Sequence, residues 1–444
     1  MSTPMDGVGN VTPDGEAECR VRWWHRLLYG MGYLAVALTT DMTLTWLLKR
    51  YRPDPADTEW HVLASAGAFA AALFVGRLMD AVADPLVGFW SDRVQTRWGR
   101  RKPFILVGGP LLALMFVLVW TPPTPESSML NGLYLAVVAS LFFFFFTIVV
   151  CPYLAMLPEI TPDPTERVRI TAWQGGFNVV GAVGGMLLAG YLIDQYGYLT
   201  MALCLAPAVL LCSWAPLLVP TPAEGSTPSD LPLTQALVLT FRNPLFVPYV
   251  VSQLLFWMAL RVVLGVLPKM VEVRAQVHET QSGAIMAVAL LSAAVLCPFV
   301  PMLARRLGKK RLLMAAMLYF AVVMVPLAFV GILPLPLGPL WQAGLLMVFA
   351  GPPVAALFTL PNAMVAEIVG CDEELTGQRR EAIYFGVQGL IVKAGLGLGI
   401  GLAALECAWF GETAARQGGF VACPLTATVL AALAAAVLTK YRGD

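Results

Sequence analysis

Charged residues are scarce in this sequence, and their scarcity excludes most water-soluble architectures. Of the 444 residues, 13% are Asp, Glu, Lys or Arg, whereas 58% are hydrophobic. A soluble domain is about one-quarter charged and about half apolar. The net charge is +1, and no basic tract has the length of a nucleic-acid-binding arm. Most of the chain must therefore avoid water, and nucleic acid is not an expected partner.

Residues that build metal or catalytic centres are equally few. The three histidines lie in loops or at the ends of apolar runs, which leaves no histidine relay through the core. None of the eight cysteines forms a CxxC pair, and most lie in apolar runs, where cysteine acts as a small hydrophobe. The sequence contains no nucleotide-binding loop, so we expect no catalytic residue, no metal and no cofactor. An enzyme is the least favoured interpretation.

Long apolar runs are what the sequence does contain. A helix needs about 20 apolar residues to cross about 30 Å of hydrocarbon. Twelve such runs are predicted, at residues 27–48, 62–90, 103–120, 130–157, 170–193, 200–219, 245–267, 281–304, 312–332, 339–366, 381–408 and 421–439. The pattern predicts an all-α protein that crosses the cell membrane many times, with the lipid bilayer as its surroundings.

Basic residues are distributed unevenly between the predicted loops. If the N-terminus is cytoplasmic, the cytoplasmic loops collect most of the Arg and Lys residues, as the positive-inside rule requires. Both termini are therefore predicted to be cytoplasmic, with a polar N-terminus at 1–26 and a tail at 440–444. A cytoplasmic linker at 220–244 separates two six-helix bundles at 27–219 and 245–439. Basic loops follow the second and the eighth span, which indicates duplicated halves as in major-facilitator transporters.

Two aspartates lie within the second predicted span. Asp80 and Asp84 are four residues apart, so both project from one face of the helix. Charges inside a membrane are costly, and they mark functional sites or ion pairs. Pro85 lacks an N–H, which releases the carbonyl of Ala81 as a further oxygen ligand for a cation. The pattern predicts a site that binds H⁺ or Na⁺. The alternative is a charge network at the helix end that includes Arg77.

Lys393 is the third charge predicted at membrane depth. It lies about twelve residues into the eleventh predicted span, too deep to reach water easily. An unpaired ammonium there would cost on the order of several kcal/mol. We therefore predict that Lys393 faces the interior and meets Asp80 or Asp84 when no cation is bound. The alternative is a lysine that lines a polar cavity without a role in coupling.

Three stretches of the chain resemble one family of transporters. Residues 80–93 read DxxxDPxxGxxxDR, residues 97–105 read RWGRRKPFI, and residues 381–395 read EAIYFGVQGLIVKAG. They resemble the glycoside–pentoside–hexuronide:cation symporters of the major facilitator superfamily, to which the bacterial melibiose carrier belongs. The second stretch also resembles sucrose:proton carriers, and animal lysolipid carriers share the paired aspartates. The resemblance implies the major facilitator fold.

The resemblance also implies where a coupling cation binds. The paired aspartates of the family match Asp80 and Asp84, its fourth-span threonine matches Thr147, and its eleventh-span lysine matches Lys393. Sodium-using sugar carriers have an asparagine where this chain has Ala83, so one neutral oxygen ligand is missing. The coupling ion is expected to be H⁺ or Na⁺. The missing ligand favours H⁺, because a proton needs a single carboxylate.

The sugar site of the family is matched less well. Three charged sugar-binding positions of the melibiose carrier fall on Ala37, Val150 and Gly175. The expected substrate is a small organic solute such as a sugar or glycoside, and the alternative is a lysolipid or another amphipath. Lipid translocation between leaflets and a non-transporting receptor are competing functions, and the charges at membrane depth argue against the receptor. The residues predicted to bind substrate are Tyr153, Trp173, Gln174, Asn178, Gln253, Trp257, Asn362, Gln388 and Lys393.

The basic loop after the second span is predicted to be a gate. Asp92, Arg93, Arg100 and Arg101 lie in or beside this loop, on the predicted cytoplasmic side. Their cations can meet the acidic ends of neighbouring helices, and opening toward the cytoplasm must separate these charges. We therefore predict that the loop stabilises the outward-open state of a monomeric transporter.

Overall fold

Long helices make up nearly all of the chain that the structure, a computed structural model, describes. The described residues are 22–51, 61–94, 96–221, 232–276, 279–334, 336–376, 380–411 and 416–442. The helices are α1 (Trp23–Tyr51), α2 (Ala66–Arg93), α3 (Lys102–Leu118), α4 (Met129–Ile160), α5 (Pro164–Trp214), α6 (Leu233–Arg242), α7 (Phe246–Ala275), α8 (Glu279–Leu296), α9 (Val300–Leu307), α10 (Lys309–Ala328), α11 (Pro339–Thr376), α12 (Glu381–Phe410) and α13 (Gly418–Leu438). Two short 3₁₀ turns, Ala215–Leu218 and Cys297–Phe299, follow α5 and α8.

The helix α5 is long enough to cross a bilayer twice. Its 51 residues correspond to about 75 Å of helix. Gly197 interrupts it with φ of 81° and ψ of 172°, a conformation that residues with a Cβ rarely adopt. The interruption falls between the spans predicted at 170–193 and 200–219. The chain therefore crosses, turns at Gly197 and crosses back, as the sequence predicts.

Helix length and composition account for the predicted crossings. Within the described residues, eight helical segments are long and apolar enough to span a membrane. One of these is α5, which supplies two crossings. The remaining crossings are α1, the shorter apolar helix α3, and α2, which carries Arg77, Asp80 and Asp84. Together they make twelve crossings, in agreement with the prediction.

The predicted linker at 220–244 contains a short helix in its described part. Its second half folds into α6, a helix of ten residues with one apolar and one polar face. The Pro/Ser/Thr-rich composition that marks the linker ends before Leu233, where helix-forming residues begin. The first helix also begins earlier than predicted, at Trp23. Residues 1–21, 222–231 and 443–444 of the predicted termini and linker lie outside the described part of the chain.

The two halves of the chain meet along α2 and α12. A Cβ on Gly88 would lie 2.6 Å from the carbonyl oxygen of Ala382, and one on Gly386 would lie 2.4 Å from the carbonyl oxygen of Asp84. Only glycine permits backbones to approach this closely at a helix crossing. This contact places the aspartates of α2 directly against α12. On the opposite side, α5 packs against α8 and α11.

Candidate functional site

An ammonium and two carboxylates meet between α2 and α12. Lys393 Nζ lies 2.6 Å from Oδ1 of Asp80 and 2.9 Å from Oδ1 of Asp84. Both aspartates are buried, whereas the lysine side chain is 23% exposed. Lys393 is twelve residues beyond the first residue of α12, about 18 Å along the helix and near the middle of a bilayer. The structure thus brings these three predicted residues together, while their role in coupling stays a prediction.

Thr147 and Arg77 complete the surroundings of the two carboxylates. Thr147 Oγ1, from α4, lies 3.2 Å from Oδ1 of each aspartate, so it can donate to one of them at a time. Arg77 Nη1 lies 3.2 Å from Oδ2 of Asp80, and its guanidinium packs over the Phe143 ring at 4.6 Å. Among the described residues, Asp80 has two cationic partners and Asp84 has the lysine alone. Arg77 therefore pairs with Asp80, and among the described residues it makes no ion pair with Asp84.

Glycines of α12 leave room for the carboxylate of Asp84. A Cβ on Gly389 would lie 3.0 Å from Oδ2 of Asp84. Gly386 lies one turn earlier on the same face of α12. Because neither glycine has a side chain, Asp84 of α2 lies directly against the backbone of α12. Ala83, beside Asp84, is buried and supplies no side-chain oxygen. The oxygens that converge here are consequently those of two carboxylates and one hydroxyl, with the ammonium among them.

Three predicted substrate-binding residues bond to one another across the two halves. Gln174 donates to the Tyr153 hydroxyl at 2.8 Å, and this hydroxyl donates to the carbonyl oxygen of Tyr29 at 2.7 Å. Asn362 of α11 donates to the Tyr33 hydroxyl at 3.0 Å, and its Nδ2 lies 3.5 Å from Gln174 Oε1. A substrate that uses these groups must replace hydrogen bonds that they already make.

The other predicted substrate-binding residues lie in different surroundings. Gln253 and Gln388 are buried, and among the described residues both amide atoms of Gln253 and Oε1 of Gln388 have no hydrogen-bond partner. A buried amide without a partner costs about 1–3 kcal/mol, which favours a polar ligand at these two positions. Trp257 and Asn178 are half-buried. Trp173 lines a separate cavity against α8 and α9.

The predicted gate residues form a buried ionic cluster. Arg100 Nη2 lies 2.9 Å from Glu159 and 3.1 Å from Glu381, and Arg101 Nη2 lies 2.8 Å from the same Glu381. Arg101 also pairs with Asp92 and Glu159. Burial alone would lower the pKa of Arg101, but the carboxylates of Asp92, Glu159 and Glu381 outweigh burial and raise it. The guanidinium therefore stays charged, and the cluster ties α2, α3 and α4 to α12.

Asp92 also caps the start of α12. Its two carboxylate oxygens accept from the backbone N–H groups of Ala382 and Ile383 at 3.2 and 3.1 Å. Such bonds satisfy the free donors of a helix N-terminus, where negative charge is stabilised. Arg93 points elsewhere and lies over the Phe89 ring at 4.2 Å. The structure thus unites Asp92, Arg100 and Arg101 in one ionic cluster.

Several members of these networks were not predicted from the sequence. Glu159 and Glu381 are the acidic partners of the gate, and each lies next to a span end where a charge is ordinary. Tyr29 and Tyr33 have the appearance of ordinary aromatic residues of an apolar helix. The basic loop meets Glu381 only because α12 packs on α2, and this contact between the two halves cannot be read from the sequence. One signal in the sequence could have identified Glu381, because it is the first residue of the stretch 381–395 that resembles the transporter family.

Comparison with known proteins identifies the family. The sequence profile described as "MFS/sugar transport protein" matches residues 28–439. An uncharacterized symporter, sll1374 of Synechocystis sp., is 27% identical over 86% of this chain and 84% of its own. The inner membrane symporter YicJ of Escherichia coli is 32% identical over 36% of this chain and 32% of its own. The human sodium-dependent lysophosphatidylcholine symporter 1 is 33% identical over 38% of this chain and 32% of its own.

Comparison with solved structures identifies the fold. A bacterial homologue of the iron transporter ferroportin, in an outward-facing state, superimposes with a TM-score of 0.69 at 14% sequence identity. The superposition covers 94% of this chain and 97% of the other. At this identity the similarity is one of fold, and together with the match to the MFS profile it confirms the predicted major facilitator architecture. The chain therefore belongs to the MFS/sugar transport protein family and is a multi-pass membrane transporter.

Proposed function

We propose that this protein couples a cation to the symport of a small organic solute by alternating access. The observation that carries the proposal is the ion pair that joins the two halves at membrane depth. Lys393 of one half lies on Asp80 and Asp84 of the other, within 2.6–2.9 Å. Two carboxylates and the Thr147 hydroxyl converge on one position, and an ammonium occupies it. A coupling cation must compete with Lys393 for this position.

This competition supplies the coupling step. When the cation binds, it neutralises the Asp84 carboxylate. Lys393 is then released from its ion pair with Asp84. The freed ammonium turns toward a hydroxyl or anionic group of the substrate. Ion binding and substrate binding are then linked through one side chain, and the linkage is reciprocal. Asp80 keeps Arg77 as a partner throughout, so Asp84 is the carboxylate that senses the cation.

The coupling ion is H⁺ or Na⁺, and the oxygens at the site favour H⁺. Sodium needs several oxygen ligands, and the converging side chains supply two carboxylates and one hydroxyl. Ala83 supplies none. A proton needs one carboxylate, and Asp84 is buried with one ion-pair partner among the described residues.

The substrate is a sugar or glycoside, and an amphipath such as a lysolipid is the second candidate. The unpartnered amides of Gln253 and Gln388 suit a hydroxyl-rich ligand. The similarity to sodium-dependent lysophosphatidylcholine symporters supports the amphipath as the second candidate. The sugar is supported by the name of the matching profile and by a relative in Escherichia coli, YagG, whose name is that of a glycoside/cation symporter.

The conformation is closed toward the cytoplasm. The ionic cluster of Arg100 and Arg101 joins both halves at the predicted cytoplasmic ends of α2 and α12. The hydrogen bonds of Gln174 and Asn362 join α5 to α11 deeper in the molecule. Opening toward the cytoplasm must break both the ionic cluster and the contact between Gln174 and Asn362, which supports a gating role for the basic loop.

The experiment is uptake into proteoliposomes under an imposed H⁺ or Na⁺ gradient. A thermal-shift screen of the purified protein first selects the solute from glycosides and lysolipids. A ligand at 100 times its dissociation constant stabilises the folded state by about 2.7 kcal/mol, which is well within detection. The proposal expects uphill accumulation that stops when the gradient is collapsed by an ionophore. Accumulation that is unaffected by collapse of both gradients would contradict symport.

A further inference from the structure

A groove on the side of the molecule carries a separate inference. It lies between α5 and the segment α8–α9 and has a volume of about 860 Å³. Its apolar wall includes Trp173, Phe177, Val180 and Met302. Its mouth is lined by four arginines, Arg26, Arg169, Arg305 and Arg306, and we call this feature the arginine-rimmed groove.

The rim carries an excess of positive charge that the protein does not neutralise. Glu166 pairs with both Arg26 and Arg169 and so offsets one of these two charges. Arg305 and Arg306 are exposed, and they have no carboxylate partner among the described residues. The rim therefore keeps three unit charges, from four arginines and one glutamate. Guanidinium groups in this number suit phosphate, which they bind through charge-assisted hydrogen bonds.

The depth of the groove matches one leaflet of a bilayer. From Arg169 at the rim to Val180 on the wall the chain advances eleven residues, or about 16 Å of helix. Half of a hydrocarbon core of about 30 Å is about 15 Å. The side chains of Trp173, Val180 and Met302 are 41%, 59% and 47% exposed, so they offer an apolar surface along this length. The rim lies at the predicted cytoplasmic end.

The groove is separated from the interior between the two halves. A Cβ on Gly175 would lie 3.1 Å from Cys297 Sγ and 3.3 Å from Thr359 Oγ1. This close contact packs α5 against α11 and against the turn after α8, on the side of α5 next to the groove, and none of the groove-lining residues belongs to the site around Lys393. The groove therefore faces the bilayer and is not part of the site around Lys393.

We propose that the arginine-rimmed groove binds an anionic phospholipid of the cytoplasmic leaflet. The phosphate lies among the arginines, and one acyl chain lies along the apolar wall. Arg26 and Arg169 belong to one half of the molecule, and Arg305 and Arg306 belong to the other. These like charges repel when the cytoplasmic ends of the two halves meet. A bridging phosphate offsets that repulsion, so the lipid favours the conformation closed toward the cytoplasm.

The test measures lipid binding and thermal stability, and needs no transport. The full-length protein in detergent is titrated with phosphatidylglycerol or with phosphatidylcholine of the same acyl chains. Native mass spectrometry counts the retained lipid, and the melting temperature is recorded in parallel. We expect one phosphatidylglycerol to be retained at concentrations at which phosphatidylcholine is lost, with a melting temperature several degrees higher. Inorganic phosphate alone should not reproduce the shift, because it lacks the acyl chain.

Matched variants separate the groove from diffuse surface charge. Arg305→Gln with Arg306→Gln should weaken phosphatidylglycerol retention at least tenfold and remove the shift. Arg97→Gln with Arg311→Gln removes the same charge from exposed cytoplasmic positions outside the groove and should change neither. Melting temperatures in phosphatidylcholine show that both variants fold. Equal loss in the two double variants, equal retention of both lipids, or a full shift with phosphate alone would overturn the proposal.

Discussion

At the scale of single residues, the two aspartates of α2 are not equivalent. Asp80 lies between Arg77 and Lys393, whereas Asp84 has Lys393 as its one ion-pair partner among the described residues. Removing the charge of Asp84 should therefore mimic a permanently loaded site. We expect Asp84→Asn to bind and exchange substrate but to lose accumulation driven by an ion gradient. Uptake and counterflow in proteoliposomes measure the two properties separately, and full accumulation by this variant would contradict the assignment.

Lys393 is the second residue whose removal has a defined outcome. Lys393→Met leaves two buried carboxylates with Arg77 as their one ion-pair partner among the described residues. At low pH a bound proton replaces the positive charge that the variant has lost. At high pH this proton is released, and an unpaired negative charge remains in the membrane interior. Coupled uptake should fail, and the melting temperature should fall as pH rises more steeply than in the unmodified protein. Asp80→Asn in the same chain restores charge balance and should flatten that pH dependence. An unchanged pH profile in the single variant would exclude Lys393 from the network.

The sequence predicted these residues for a physical reason. A charge within a long apolar run is conspicuous because burial makes it costly, so Asp80, Asp84 and Lys393 were identifiable without a structure. Their matching depths follow from counting residues along α2 and α12. Glu159 and Glu381 were not identifiable in this way, because acids at span ends are common. Tyr29 and Tyr33 join the polar network through contacts that only the packed helices define.

At the scale of helices, the crossing of α2 and α12 depends on glycine. A methyl group on Gly386 would lie 2.4 Å from the carbonyl oxygen of Asp84, so the helices would have to separate. We expect Gly386→Ala to weaken the contact of Lys393 with the aspartates, with a loss of coupled uptake of tenfold or more. Gly397→Ala is the matched control on the same helix, because no atom lies within 4 Å of its added Cβ. Similar uptake by the two variants would mean that the close crossing is dispensable.

The limits of sequence reasoning at this scale lie in the helix ends and the linker. The twelve crossings and the break between residues 193 and 200 were predicted, because the length of an apolar run is a local signal. The helix α6 was assigned to the linker, since ten residues are too few to stand out as a span. Which helices face each other across the two halves is a non-local property. The glycines of α12 do not by themselves indicate which helix packs against them, and the structure shows that this helix is α2.

At the scale of the whole molecule, we propose that the ionic cluster holds the cytoplasmic side closed. Arg101 contacts carboxylates of α2, α4 and α12 and is almost fully buried. Breaking a buried ion pair by removing one partner typically costs about 3–5 kcal/mol. Arg101→Gln should therefore shift the population toward the inward-open form. Cysteine labelling from each side of the membrane measures the shift, and Arg97→Gln, at an exposed position of the same loop, is the control. Unchanged labelling in Arg101→Gln would contradict the gate.

The charge balance around Lys393 bears on how the carrier responds to voltage. Two basic side chains, Arg77 and Lys393, face two acidic ones, Asp80 and Asp84, so the empty site is electrically neutral. Binding of one monovalent cation with an uncharged solute makes the loaded site positive. A charge that crosses the full field gains about 2.3 kcal/mol per 100 mV, and a neutral site gains nothing. An inside-negative potential should accelerate the loaded crossing and leave the empty return untouched. Solute addition to proteoliposomes on a solid-supported membrane should therefore evoke an inward current, and Asp84→Asn should abolish that current while solute exchange continues.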